Sequence, residues 1–242
     1  MIKDIRQSIQ NYFVAVKLIN QLKLWKYFLI PVLIGLVLGI IFITSAYSFS
    51  DNLGGFLSKC WPFEFGKKVM SVISTWISGF FILILGILLY KHLLMALAAP
   101  FMSPVSEKVE AHLTNKLVKN TSDFTSLLIR GIKVSGTSLI KELLIILPLM
   151  VLSFIPLIGL VAVALIFYYQ SYFIGVGNMD YTLERHLTYK ESKVFIKKHK
   201  GIAVGNGLIF TLMLFIPIIG IMITLPVATV ASTIDTVKKL NL

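Results

Sequence analysis

The sequence predicts an all-α integral membrane protein: two long transmembrane helices, two partly inserted helical hairpins, and amphipathic cytosolic helices, forming a single membrane domain over 1–242. Three observations carry this. Hydrophobic residues make up 57% of the chain and charged residues 14%, against about 45–50% and 25% in soluble domains; one soluble core could not cover that much apolar surface. The charges are also segregated, since 27–50, 69–90, 143–179 and 201–234 contain no Asp, Glu, Lys, Arg or His. Finally, the two longest of these stretches are interrupted by the same pattern, Phe154-Ile155-Pro156-Leu157-Ile158-Gly159 and Phe215-Ile216-Pro217-Ile218-Ile219-Gly220.

The first segment, 1–26, reads as an amphipathic helix. Ile2, Ile5, Ile9, Tyr12, Val16 and Ile19 recur every three or four residues, with Lys3, Arg6, Gln10 and Lys17 largely elsewhere, so it is expected to lie on the cytoplasmic leaflet. The stretch 27–50, flanked by Lys26 and Asp51, has the length of one span, about 20 residues. It is longer than the roughly 7–15 residues of a signal-peptide core, and its Gly35-x-x-x-Gly39 is a small-residue packing motif. A second span, 69–90, flanked by Lys68 and Lys91, carries an extension, so that the spanning helix with its extension covers 69–100. Ser103, as N-cap with Pro104 at the first helical position, predicts the start of a further helix. Val105, Val109 and Leu113 share one face of it.

At 37 and 34 residues, 143–179 and 201–234 exceed one upright helix. They fall short of the roughly 42 residues needed for two full spans and a turn. Proline lacks the N–H of a helix interior and glycine tolerates turn dihedrals, so each stretch is expected to fold back as a hairpin. A kinked helix or a pair of short spans is the alternative. The arm 143–153 would reach about 16 Å, roughly half of a hydrocarbon core, which places the first turn within the bilayer. The two patterns lie 61 positions apart, as in an internal repeat. With the N-terminus inside, 20 of the 23 basic residues are cytoplasmic and only 50–68 is external. Both termini, 91–142 and 180–200 then share the cytoplasmic side.

Chemistry-bearing motifs are sparse. Cys60 is the single cysteine, so no internal disulfide forms. His92, His112, His186 and His199 lack zinc spacing, and there is no Walker loop; no metal, no cofactor and no enzymatic activity are expected. Acidic residues lie outside the four apolar stretches, so no carboxylate relay is visible in the membrane. Gly175-Val176-Gly177 and Gly205-Asn206-Gly207 suit close helix packing. The net charge of +12 is compatible with anionic lipid, an anionic solute or nucleic acid. Lys193, Lys197, Lys198 and Lys200 read as a cytosolic face near anionic headgroups. Helices restarting after the two turns would place unpaired N–H groups and a positive dipole end near Gly159 and Gly220, a candidate anion path.

The run Leu97-Ala98-Ala99-Pro100-Phe101 is followed by Glu107-Lys108-Val109-Glu110-Ala111-His112-Leu113-Thr114. Further along come Phe154–Gly159, Asp180-Tyr181, His186, Ile216-Pro217 and Pro226-Val227-Ala228. In order and spacing this set resembles the CysZ sulfate permease family of the etoposide-induced membrane protein superfamily. The resemblance implies two long spanning helices and two inserted hairpins in an oligomeric protein of the bacterial inner membrane. It marks Pro100, Phe101, Glu107, Glu110, Asp180 and Tyr181 as signature positions. It also implies sulfate uptake for cysteine synthesis, with sulfate, membrane lipid and further copies of the chain as partners and no nucleic acid. In that family a Gly-hydrophobic-Arg segment before the first span is associated with sulfate binding. Here Lys23 stands for the glycine and Trp25 for the arginine, while Lys26 keeps a basic side chain; Lys23 and Lys26 are the substrate-binding residues implied. Thr182 stands where a proline usually follows Asp-Tyr. The alternative reading is a non-transporting scaffold or assembly factor of the same fold, with Lys23 and Trp25 as interfacial anchors.

Overall fold

The computed structural model describes residues 1–59, 67–116, 122–216 and 219–242, and no strand occurs among them. The elements run α1 (Ile2–Gln21), a short 3₁₀ helix (Leu24–Phe28), α2 (Leu29–Lys59), α3 (Lys67–Thr114), α4 (Phe124–Ser153), α5 (Ile158–Leu183), α6 (Tyr189–Lys198), α7 (Lys200–Leu214) and α8 (Ile219–Leu240). Among the described residues, four segments are long and apolar enough to cross a bilayer: Leu24–Ser45, Gly86–Thr114, Phe124–Ser153 and Ile158–Leu183. The chain is an all-α, multi-pass membrane protein.

Several boundaries differ from those the sequence predicts. Much of the segment expected as an external loop, 50–68, is helix, because α2 runs on to Lys59 and α3 begins at Lys67; Cys60, with the rest of 60–66, lies outside the described residues. No helix starts at Ser103, which is interior to α3 together with Pro100 and Pro104. Proline is tolerated inside membrane helices when neighbours and local adjustment accommodate the freed backbone groups. Here α4 approaches closely: a Cβ on Gly131 would meet the Ala99 side chain and the Ala96 carbonyl, and that carbonyl is the one Pro100 leaves without its usual intrahelical donor.

The chain divides into two compact units, 35–91 and the remainder, 1–34 with 92–242. In the smaller unit, α2 and α3 pack through Phe42 against the edge of Tyr90, and the Tyr90 hydroxyl donates to the Gly35 carbonyl at 3.3 Å. Gly39 faces open space, so the Gly35-x-x-x-Gly39 pair does not act as a packing notch at its second position.

The larger unit is built on α5, which packs most extensively on α7 and α4. Small residues make this possible. A Cβ on Gly175 would collide with the Ala203 backbone, one on Gly207 with the Ser171 backbone, and one on Gly177 with Met95. The two Gly-x-Gly runs therefore do serve close helix packing, as their composition suggests. Helix α1 lies against α7 and α8, where Gly201 and Gly205 admit the backbone of Met1 and Ile5. Its buried face is Ser8, Asn11, Tyr12, Ala15, Leu18 and Ile19, offset from the apolar stripe in the sequence and partly polar. The polar members find partners: Ser8 Oγ donates to the Ile202 carbonyl at 3.3 Å, Tyr12 Oη to the Asn206 carbonyl at 2.6 Å, and Asn11 Nδ2 to Asp235 at 2.7 Å. Ile2 and Val16, of the stripe expected to lie on the leaflet, are exposed.

The first hairpin turns where the sequence predicts, between α4 and α5. Its detail differs. Leu157 takes the positive φ (69°, ψ −52°), and the Ile158 amide donates to the Pro156 carbonyl at 2.9 Å, which is a γ-turn. Gly159 is already helical. It is needed for space, since a Cβ there would collide with the Ser153 carbonyl, and Gly220 meets Met213 in the same way. Pro217 and Ile218 lie outside the described residues. The arm leading into the first turn is also longer than 143–153: α4 has 30 residues, about 45 Å, so its length alone would allow a full crossing.

Candidate functional site

The segment expected to bind an anion begins where α1 ends. Leu22 N–H donates to the Leu18 carbonyl at 2.8 Å and Lys23 N–H to the Asn20 carbonyl at 3.3 Å. Lys23 itself is left-handed (φ 51°, ψ 44°), a helix-ending conformation that glycine adopts freely and lysine adopts at a cost of about 1–2 kcal/mol. The backbone thus keeps a glycine-type bend although the side chain is lysine. The 3₁₀ helix that follows leaves Lys23, Trp25 and Lys26 exposed and buries Leu24 and Phe28. Trp25 Nε1 donates to Asn20 Oδ1 at 2.7 Å. Two ammonium groups contact Tyr27, as Lys26 Nζ and Lys108 Nζ each lie 5.4 Å from its ring centroid. Lys108 comes from α3, two positions before Glu110.

The two hairpin glycines do not offer free donors. Gly159 N–H donates to the Ile155 carbonyl at 2.7 Å and Gly220 N–H to the Ile216 carbonyl at 2.9 Å. These two glycine amides are therefore occupied within their own turns.

A buried polar network gathers instead where α3 and α5 meet. The Glu110 and Arg185 side chains are 1% and 3% exposed. Arg185 donates from Nη2 and Nε to Glu110 Oε2 (2.7 and 3.1 Å), and from Nη1 to Ser106 Oγ (2.8 Å) and the Tyr181 carbonyl (2.9 Å). His186 Nε2 lies 2.6 Å from Glu110 Oε1. A second guanidinium ties α4, α5 and the start of α6: Arg130 forms a two-point contact with Asp180 (both 2.9 Å) and donates to the Leu187 carbonyl and Ser192 Oγ, each at 2.8 Å. Deeper, His92 and Glu142 meet at 2.6 Å with almost no exposure. Buried charges persist when paired and hydrogen-bonded in this way. The arrangement locks α3, α4 and α5 together, and its cationic groups are largely committed to carboxylates.

Of the signature positions, Glu110, Asp180 and Tyr181 belong to this network, and the Tyr181 hydroxyl donates to the Met95 carbonyl at 2.7 Å. Phe101 packs edge-on to Phe124 at 5.7 Å, Pro100 sits within α3, and Glu107 is half-buried. Reading the sequence misses Arg130, Arg185, Glu142 and Glu184. For Glu142, Glu184 and Arg185 the signal is positional, since each stands within five residues of an apolar run or of Asp180; Arg130 has no such mark. Their partners, 50 or 75 residues away, leave no local mark.

Glu184 gives the network a pH dependence. Burial chiefly, with help from the nearby Asp180 charge, pushes its carboxyl up to about 8, against the opposing effects of Ser103, Arg185 and Arg130. Its Oε1 has no hydrogen-bond partner. A folded-state pKa raised above the unfolded value of 4.5 means that the fold favours the protonated form. This contribution is complete below 4.5 and is lost as pH rises through about 8. Thermal unfolding of the detergent-purified protein is expected to shift to lower temperature across that window, and Glu184→Gln to flatten the dependence. An unchanged slope in the variant would assign the effect to another group.

Comparison with known proteins gives a consistent outcome. Residues 11–224 match the family described as sulfate transporter CysZ/etoposide-induced protein 2.4. The chain is 32% identical over 143 residues to the sulfate transporter CysZ of Vibrio parahaemolyticus, covering 57% of each chain. With the sulfate transporter CysZ of Pseudomonas fluorescens it shares 28% identity over 152 residues, 59% of this chain and 58% of that one. With that of Pseudomonas aeruginosa it shares 27% over 172 residues, 66% of this chain and 67% of that one. The matched region thus spans somewhat over half the length of the first two of these relatives.

Proposed function

Because the chain belongs to the family of sulfate transporter CysZ and etoposide-induced protein 2.4, we propose that it is a membrane permease for sulfate, with no catalytic chemistry of its own. The observation that carries the reading is the bend at Lys23. The position where the family carries glycine adopts the left-handed conformation that glycine adopts freely, and the ammonium groups of Lys26 and Lys108 each contact Tyr27, four residues on. An ammonium is a point charge and does not reproduce the two-point grip of arginine, so electrostatic attraction is the larger part of recognition here. Orientation follows from the basic residues. Both termini and the segments 91–142 and 180–200 face the cytoplasm of a bacterial inner membrane, and the protein works as a homo-oligomer.

Uptake of labelled sulfate into proteoliposomes tests this. Charge-assisted hydrogen bonds contribute about 1.5–3 kcal/mol, so Lys23→Met and Lys26→Met are each expected to weaken sulfate uptake by about tenfold or more with folding retained. Lys23→Gly separates charge from backbone: it should raise thermal stability by about 1 kcal/mol while weakening uptake like Lys23→Met. Normal uptake by all three variants would move the site elsewhere. No uptake by the unmodified protein would favour a non-transporting scaffold, a role for which half-exposed Trp25, 50% accessible, is a suitable interfacial anchor.

A further inference from the structure

Away from the Lys23 segment, α4, α5 and α6 enclose a half-open cavity of about 220 Å³. Two helical stripes of period four meet at it. On α4, Thr137 and Lys141 line the cavity, and Lys133, one turn before Thr137, reaches the ring of Tyr189; on α6, Tyr189, Lys193 and Lys197 line it. Tyr189 holds the stripes together. Its hydroxyl lies 2.8 Å from Thr137 Oγ1, and its ring lies 4.2 Å from Lys193 Nζ and 4.6 Å from Lys133 Nζ. Burial alone would push this phenol up, yet the hydrogen bonds from Lys193 and Thr137 and the charges of Lys193 and Lys133 bring it below its ordinary value. The site is strongly positive.

Nearby carboxylates do not neutralise it. Asp180, at the cavity edge, is held by Arg130. Glu142, next to Lys141 in sequence, pairs with His92. Glu191 completes the capping box of α6 with Thr188. Among the described residues none of the four lysines joins an ion pair. Much of the remaining lining is apolar: Val134, Tyr172, Phe173, Val176 and Ile196. Within one turn of Lys141 on α4, Ile140 and Leu144 are exposed large apolar side chains. The cavity is smaller than the roughly 300–1,000 Å³ of pockets that enclose a whole small molecule. It suits a charged headgroup whose apolar remainder lies outside against α4.

We propose that this cavity is a binding site for the phosphate of an anionic phospholipid, with lysines of α4 and α6 on the phosphate and the acyl chains along the exposed apolar face of α4. The inference goes beyond sulfate transport and uses none of the residues placed at the Lys23 segment. It also replaces a diffuse basic face with a site: Lys193 and Lys197 belong to it, and Lys198 and Lys200 do not line it.

Native mass spectrometry of the detergent-purified protein, titrated with phosphatidylglycerol or phosphatidylcholine, tests the proposal. The unmodified protein should retain phosphatidylglycerol in preference. Lys141→Gln/Lys193→Gln should weaken that binding by about tenfold or more, since each surface lysine contributes on the order of a fivefold factor. Lys133→Gln/Lys197→Gln should do the same, whereas Lys3→Gln/Lys17→Gln, which removes two exposed charges from α1, should leave it unchanged. Millimolar inorganic phosphate or sulfate should not displace the lipid. Equal retention of both lipids, or retention by both cavity variants, would overturn the site. Displacement by free phosphate or sulfate would overturn the lipid reading and assign the cavity to a soluble oxyanion.

Discussion

Replacing Glu110 with glutamine is expected to destabilise the protein by about 3–5 kcal/mol, the usual consequence of removing one partner from a buried ion pair. Arg185, 3% exposed, would keep its charge with no carboxylate to receive it, and His186 would lose its contact at 2.6 Å. The penalty belongs mainly to the orphaned guanidinium and not to the attraction lost. The double replacement Glu110→Leu/Arg185→Met should therefore cost less than Glu110→Leu alone. Thermal unfolding in detergent reads both. A loss under about 1 kcal/mol for Glu110→Gln would mean that water reaches the pair.

A valine at Gly175 is expected to be comparably severe. The added Cβ would meet the Ala203 backbone, and a backbone within a helix cannot step aside as a flexible side chain can. Helices α5 and α7 would have to separate along their broad contact, at a cost of about 1–3 kcal/mol or more; Gly207→Val, against Ser171, should behave alike. Gly136 supplies the control, because a Cβ there has nothing within 4 Å. Gly136→Ala should be neutral or stabilising by up to about 1 kcal/mol. If Gly175→Val and Gly136→Ala gave the same thermal shift, close approach would not be what Gly175 provides.

Hydropathy made most of the fold legible. The four charge-free stretches fall within helices or helix pairs, and the Pro156 turn falls between α4 and α5, because apolar length and missing N–H groups are local properties. What stayed hidden depends on neighbours. Proline at 100 and 104 reads as a break, yet α3 continues through both. The α1 stripe points to one face, yet Ser8 and Asn11 are buried because α7 and α8 supply their partners. At the site, Lys23 could be located by resemblance, but its left-handed φ could not be read from a lysine. The pairing of Arg130 with Asp180 and of Arg185 with Glu110 joins residues whose spacing has no period. The Lys133/Lys141 and Lys193/Lys197 spacing was present in the sequence, and only the packing of α6 against the hairpin turns it into a cavity.

The docking of α1 also sets an order of events during synthesis. Its partners on α7 and α8 lie 194 to 235 residues later in the chain. At about 5–20 residues per second, translation separates them by on the order of tens of seconds. Throughout that interval Ser8, Asn11 and Tyr12 have no Ile202, Asp235 or Asn206 to bond, and Asp4 has no Lys239. Helix α1 must wait in a provisional setting, at the membrane surface or under a chaperone, until translation reaches the C-terminal helix. Helix α1, made well before its partners, is thus among the last to settle, and a truncation within α8 would set it loose.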